Sequence, residues 1–350
     1  MARTSQRCTE DRTNTAGTDH ADAQAWWGTG QHVESVEVGS VPVVPSPVLP
    51  DLPTWEQAWQ ESAFGPNGFY TRQAPEGHFR TAVTAGRAIA DLVTDYIGEF
   101  LEHHRHACIE DLGAASGQLL QDIAAWSDDQ KLSQRICLRG FDLRPRPVGL
   151  DSRIAWVCGD LRQTLAGQPA ITGIAIAHEL LDDLPCPIIE ADSDGRARVI
   201  LAQDHQAYLG PPVDSPERDE FRQWESWAAQ WWPIERSFMR CEIGMPREHL
   251  WQLIVDHVAV GWALAIDYGH VKAERVAGTW DAGTCIGYRD GRAVAPRTDG
   301  HANLTAHVAM DALQASTPSG GTLRRLPMSS SMPPGMYLLA TRRSSPVSPS

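Results

Sequence analysis

The 350-residue sequence predicts an α/β protein built on a doubly wound, mostly parallel sheet, with a helical element before the sheet and an inserted subdomain within it. Three observations carry this prediction. Four short apolar runs each end in an acidic residue: Ile136 to Asp142, Ile154 to Asp160, Ile174 to Glu179 and Trp262 to Asp267. Segments of helical or turn character separate these runs, and such sheets bind ligands at the carboxyl ends of their strands, where the acids lie. Finally, Cys108 to Leu120 reads as a buried strand, a small-residue turn and a helix. Asp111 ends the strand, Gly113 permits a sharp turn, and Gly117 lets the helix start close to whatever covers the strand end.

The remaining elements follow in order. Residues 1–50 lack apolar periodicity and finish in the proline-rich run Val41 to Pro53, which predicts a disordered arm with a stiff end ahead of a domain spanning 51–340. Thr54 is placed to cap a short helix at Trp55, and Gly65-Pro66-Asn67-Gly68 forms a turn into Phe69-Tyr70. Ile89, Leu92, Val93, Tyr96, Ile97, Phe100 and Leu101 recur at helical spacing and predict a helix packed on the sheet. Between about 188 and 246 the strand–helix alternation lapses, marking an inserted substrate subdomain. There Arg196 to Leu201 reads as a strand, and Glu217 to Trp232 as a helix stopped by Pro233. That helix carries Phe221, Trp224, Trp227, Trp231 and Trp232, a spacing that suits a subdomain core or a partner surface. Asn303 to Val308 is read as opening a helix, Met336 to Ala340 as the last strand, and the serine- and proline-rich 341–350 as a disordered tail.

Composition narrows the function classes. A formal net charge of -14 argues against a nucleic-acid or anionic-membrane partner and suits a basic or amphipathic substrate. The seven cysteines are odd in number and scattered, with no C-x-x-C pair, so neither a disulfide framework nor a metal site is expected. Reduced thiols point to the cytoplasm. Met1-Ala-Arg-Thr-Ser begins no apolar signal run, Glu10, Asp11, Asp19 and Asp22 disagree with a transit peptide, and no segment is apolar enough to span a membrane.

The turn after Asp111 has only Gly113 and Gly117, so the G-x-G-x-x-G of nicotinamide and flavin sites is missing, as is a phosphate loop. The D-x-G-x-x-x-G form instead resembles the first motif of class I S-adenosylmethionine (SAM) methyltransferases, which are Rossmann-like. His178-Glu179-Leu180-Leu181-Asp182-Asp183-Leu184-Pro185, Asp267-Tyr268-Gly269 and Asn303-Leu304-Thr305-Ala306-His307-Val308 follow it in order. With the Gly68-Phe69-Tyr70 turn they resemble the MidA-type family of SAM-dependent methyltransferases, which includes the mitochondrial arginine methyltransferase that assists complex I assembly. The resemblance runs from about Trp55 to Ala340. The family's Glu-x-Gly-Pro-Gly-x-Gly corresponds to Asp111 through Gly117, with alanines at Ala114 and Ala115. Its Asn-Glu-Phe-Leu-Asp-Ala-Leu-Pro is met by His178 through Pro185, which keeps Glu179 and Asp182 and has His178 for the Asn. Gly77-His78-Phe79-Arg80-Thr81 departs most, with His78 where the family has Asp.

The resemblance implies a class I methyltransferase fold, SAM as cofactor, and transfer to a protein side chain, arginine in particular. On the cofactor side, Asp111 faces the amino-acid end, while Gly113, Ala115 and Gly117 form the close-fitting turn and the amides starting the helix receive the carboxylate. Asp142 is placed on the ribose hydroxyls by analogy with dinucleotide folds, and Asp160 on the adenine; both could instead be solvated strand-end acids. Glu179 and Asp182 form the candidate catalytic pair. They share a face if a helix starts there, and would grip a guanidinium and favour its deprotonation, or else cap that helix. His178, Asp267, Tyr268 and His307 are assigned to the substrate side, with packing and turn-shaping as their alternatives. Small-molecule O- or N-methylation is a rival reading supported by His78 and His178, and SAM binding without catalysis is another, supported by the reduced glycine loop.

Overall fold

Ala107–Leu112 (β1) is buried on both faces, as a central parallel strand must be. A computed structural model describes residues 52–72, 83, 86–215, 219–329 and 332–344. The predicted arm, residues 1–50, and the stretch containing His78 lie outside the described residues. Around β1 are Ile136–Asp142 (β2), Ile154–Cys158 (β3) and Ile171–His178 (β4). The chain then leaves the sheet for Ile188–Ala191 (β5), Ala197–Gln203 (β6), Gln206–Pro212 (β7) and Arg240–Glu242 (β8), and returns as Val258–His270 (β9). A second excursion forms Ile286–Arg289 (β10), Arg292–Val294 (β11) and Asn303–Thr305 (β12). Val308–Ala309 (β13) touches β9, and Thr322–Arg325 (β14) and Met336–Arg343 (β15) complete the sheet.

The main sheet runs β14-β15-β9-β4-β1-β2-β3. From β9 to β3 all pairings are parallel, and β15 lies antiparallel to both its neighbours. This mostly parallel sheet is that of class I SAM methyltransferases. The helices, in chain order, are Trp55–Phe64 (α1), Phe69–Arg72 (α2), Ala88–His103 (α3), Gln118–Asp129 (α4), Leu161–Ala166 (α5), Asp219–Trp231 (α6), Met245–His257 (α7), Lys272–Val276 (α8) and Met310–Ala315 (α9), with α3 and α4 on one face of this sheet and α7 on the other. Alternation along β4 sorts the core. Ile174 and Ile176 pack with Ile89, Val93 and Ile97 of α3 and Leu120 and Ile123 of α4, whereas Ala175 and Ala177 face Leu250, Trp251 and Ile254 of α7. Glu110, fully buried on β1, is held by Arg139 of β2 at 3.0 Å and His257 of α7 at 2.8 Å.

β5 to β8 form a separate antiparallel sheet in the order β7-β6-β5-β8. One of its faces packs Ile189, Val199 and Leu201 against Phe221, Trp227 and Trp232, so these aromatics form a core. The opposite face sets Ile188, Ile200 and Ala202 against Trp55 and Trp59 of α1. Thr54 caps α1 by accepting from the Gln57 amide, and the Gln57 side chain accepts from the Thr54 amide in return. Just before the cap, the Pro53 carbonyl accepts from the Ala202 amide at 2.9 Å.

Three expectations are corrected. Asn303 to Val308 does not open a helix: Asn303–Thr305 pairs with β10, Val308 and Ala309 pair with Gly269 and His270, and the helix begins at Met310. No helix starts at Glu179, whose φ of 46° is left-handed, so Glu179 and Asp182 do not share a helical face. β15 continues to Arg343 because Thr341 to Arg343 pair with Ala263 to Gly261, which brings the first residues of the predicted tail into the sheet. Among the described residues no helix is long and apolar enough to cross a membrane.

Candidate active site

The carboxyl ends of β1, β2 and β4 open into a pocket of about 540 Å³, within the range of small-molecule sites. Its wall brings together Asp111, Gly113, Ala115, Asp142, Asp160, His178 and Glu179. Gly117, Asp182, Asp267, Tyr268 and His307 do not reach it. The α1–α2 hairpin closes the opposite side with Gln60, Phe64 and Tyr70, the last two rings stacked 5.3 Å apart.

The turn after β1 is held by β2. The amides of Gly113 and Ala114 both donate to the Phe141 carbonyl at 2.9 Å, and the Ala115 amide donates to Asp142 Oδ2 at 2.8 Å. Asp142 Oδ1 accepts from the Arg144 amide at 2.9 Å, so this acid organises the turn as well as facing the pocket. Ala115 is held at φ 49°, beside Gly113 at 80° and Gly117 at 73°. A Cβ at Gly117 would lie 2.6 Å from Leu150 Cδ1, so this glycine answers to packing and backbone sign rather than to pocket approach. Because the Gly117 amide donates to Ala114 at 2.7 Å, four amides of this turn are already committed, and the turn residues left on the wall are Ser116 and Gln118. Asp111 is 3% exposed. Burial, with Asp142 adding and His178 opposing, pushes its carboxyl up to about 7. Asp160 caps α5 by accepting from the Gln163 amide at 3.2 Å and remains exposed at the rim.

Beyond β4 the chain turns through Glu179, whose amide donates to the Ile266 carbonyl at 2.9 Å. His178 Nε2 lies 3.2 Å from Glu179 Oε1, without hydrogen-bond direction. Asp267 shapes this loop from below: its carboxylate accepts from the amides of Leu181 at 2.9 Å, Asp182 at 3.3 Å and Tyr268 at 2.8 Å. Asp182 turns away from the pocket to accept from the Thr305 hydroxyl at 2.8 Å. Burial and then Glu179 raise its carboxyl to about 6, and burial and then Asp182 raise Asp267 well above the usual range. The buried Arg247 lies among them, donating to the carbonyls of Asp182, Leu184 and His307. His307, whose backbone amide donates to the Thr284 hydroxyl at 2.8 Å, sits behind the site with its ring 6.0 Å from Tyr268 and 5.0 Å from Trp280.

Two residues that sequence reasoning had not placed in the site, Tyr70 and Asp183, meet on this wall and are joined by Asn303. The Tyr70 hydroxyl contacts Asp183 and, at 3.0 Å, Asn303 Oδ1; Asn303 Nδ2 donates to Asp183 Oδ1 at 2.8 Å. Each stood inside a quoted motif, but no local spacing joins residues more than a hundred positions apart. Among the described residues, no group of three or more His, Cys, Asp or Glu is arranged to hold a metal ion.

The sequence profile of a family described as "Putative S-adenosyl-L-methionine-dependent methyltransferase" (Methyltransf_28) matches residues 127–325. The chain belongs to this family. The methyltransferase is similar in fold to a COG1565 superfamily member from Burkholderia thailandensis solved with S-adenosylhomocysteine. The TM-score is 0.65 at 16% identity, covering 83% of this chain and 88% of that one. The native structure of a COG1565 superfamily protein from the same organism matches with a TM-score of 0.64 at 15% identity, over 83% of this chain and 87% of that one. No curated protein matches. The pocket's acid at the end of β1, the left-handed turn beneath it and its volume all fit SAM as the methyl donor.

Proposed function

We propose that this methyltransferase is of the MidA type and transfers its methyl group to a guanidinium nitrogen of a protein arginine. Bound SAM supplies an electrophilic methyl on a sulfonium. Asp111 takes the ammonium of its amino-acid end, Ser116 and Gln118 receive the carboxylate, and Asp142 and Asp160 face the ribose and adenine. Glu179 meets the acceptor. Its carboxylate orients a guanidinium by charge-assisted hydrogen bonds and lowers the cost of losing a proton from the attacking nitrogen. Asp182 and Asp267 act through the loop, Asp267 by fixing the amides that precede Asp183, and Tyr268 and His307 support that loop from behind.

The observation that carries this reading is the placement of Glu179: it is on the pocket wall, at the strand end beyond the glycine turn. A carboxylate at that strand end suits a cationic acceptor. Glu179→Gln keeps the shape and removes the charge, so methyl transfer should fall by about 10²-fold, the scale of a lost acid–base or positioning group. S-adenosylhomocysteine affinity should stay within about twofold of the parent. Incubation of lysate with isotopically labelled SAM, followed by mass spectrometry, should place label on protein arginine. Label confined to metabolites would favour a small-molecule acceptor, a reading supported by the way Gln60, Phe64 and Tyr70 wall in the pocket.

A further inference from the structure

Tyr70 and Asp183, both on the pocket wall, form a closed triangle with Asn303, and its proton count is informative. Each side is a contact between polar atoms: Tyr70 Oη to Asp183 Oδ2, Tyr70 Oη to Asn303 Oδ1, and Asn303 Nδ2 to Asp183 Oδ1. Three sides need three protons. Tyr70 has one. Asn303 touches each neighbour through a different end of its amide, so it supplies one, and turning the amide over moves that proton without adding another. The third comes from Asp183, whose carboxyl is therefore un-ionised.

Its surroundings agree. Tyr70 reaches Asp183 from α2, Asn303 from β12, and Asp182 and Glu179 from the loop after β4, while Asp142 of β2 acts on Tyr70. Burial first, then Asp182, hold the Asp183 carboxyl well above the usual range, against the opposing bonds from Tyr70 and Asn303. A carboxyl kept neutral in this way can donate where a carboxylate cannot.

The consequence falls on Tyr70. Its one proton is spent inside the triangle, so its oxygen has a lone pair left for the pocket it lines. We propose that Tyr70 is a specificity residue of the acceptor site that receives an N–H of the incoming group, with Asp183 and Asn303 as positioning residues that hold the phenol proton out of the way. This rests on the arginine reading above and adds to it. A guanidinium has five N–H donors and no acceptor, so it can satisfy Glu179 and Tyr70 together. A group presenting only an oxygen lone pair meets another lone pair at Tyr70.

Two measurements on the full chain test this. The first is melting temperature against pH. Asp183→Asn places an amide N–H where the carboxyl proton was, so all three sides stay bonded. Because the folded Asp183 carboxyl titrates above its unfolded value of about 3.9, the folded parent holds an extra proton and loses stability as pH rises above about 4. Asp183→Asn lacks that loss, so its melting temperature at pH 8 should equal or exceed the parent's, whereas Asp183→Ala should melt lower at every pH. A lower melting temperature for Asp183→Asn than for the parent at pH 8 overturns the neutral carboxyl.

The second measurement is calorimetric binding of N-acetyl-L-arginine amide to protein saturated with S-adenosylhomocysteine. Tyr70→Phe should weaken that binding by about tenfold, the scale of one lost hydrogen bond to a charged group, and leave S-adenosylhomocysteine affinity unchanged. Binding of the amide by the parent and equally by Tyr70→Phe overturns the role of Tyr70 alone. A parent that binds S-adenosylhomocysteine but not the amide overturns the arginine reading, and the role of Tyr70 with it, while leaving the Asp183 stability signature intact.

Discussion

Gly117 offers a decision between two reasons for a glycine. The motif suggests close approach of the backbone to a cofactor, whereas the structure points its missing side chain at Leu150. Gly117→Ala imposes two costs. A left-handed alanine at φ 73° costs about 1–2 kcal/mol. Its Cβ would also sit 2.6 Å from Leu150 Cδ1, well inside the 3.5–4.0 Å of ordinary carbon contact. The obstructing atom is the end of a flexible side chain, so the overpacking adds about 1 kcal/mol, the low end of its range. The total destabilisation should be about 2–3 kcal/mol in urea unfolding. A double-mutant cycle with Leu150→Ala separates the two parts. Removing the obstruction restores about 1 kcal/mol as a favourable coupling and leaves the backbone term untouched. S-adenosylhomocysteine affinity of folded Gly117→Ala should stay within about twofold of the parent. Zero coupling with Leu150, or a tenfold loss of affinity at unchanged stability, would refute the packing argument and restore the motif's reason.

Two further outcomes are expected. Burial pushes the Asp111 carboxyl up to about 7 from its ordinary 3.8, so its own contribution to stability falls as pH rises from about 4 to about 7 and is level beyond. Asp111→Asn should flatten that slope and gain up to about 4 kcal/mol at pH 8, while weakening S-adenosylhomocysteine binding about tenfold or more there; calorimetry and thermal melts at pH 5 and 8 check both. Glu110→Ala leaves Arg139 and the buried His257 without their shared carboxylate and should cost about 3–5 kcal/mol in denaturant unfolding, with Glu110→Gln intermediate. A loss below about 1 kcal/mol would show that the pair contributes little.

What the sequence made legible was local. Cys108 to Leu120 could be read because a both-faces-buried strand, a glycine turn and an amphipathic helix each leave a periodic mark within a dozen residues. Asn303 to Val308 was misread because Leu304, Ala306, Val308 and Ala309 are all buried. That run fits a helix as well as a strand until β10 and β9 are seen to supply its hydrogen bonds. Glu179 was found as a strand-end acid, but its pairing with Asp182 assumed a helix that a left-handed residue forbids. Tyr70 and Asp183 went unplaced for a different reason: their meeting depends on where α1 docks, and that is set by Trp55 and Trp59 against a sheet more than a hundred residues further along the chain.

That docking has an evolutionary and engineering consequence. The hairpin that walls the pocket hangs from the excursion between β4 and β9, through Trp55, Trp59 and the bond from Ala202 to Pro53. The chain's first described segment and the inserted sheet are therefore one exchangeable part, although the strands that end at the pocket separate them in sequence. A chimera that swaps only 188–242 would orphan the hairpin, and one that swaps only the hairpin would set it on a foreign floor. An exchange between relatives that keeps this contact intact must move both pieces together.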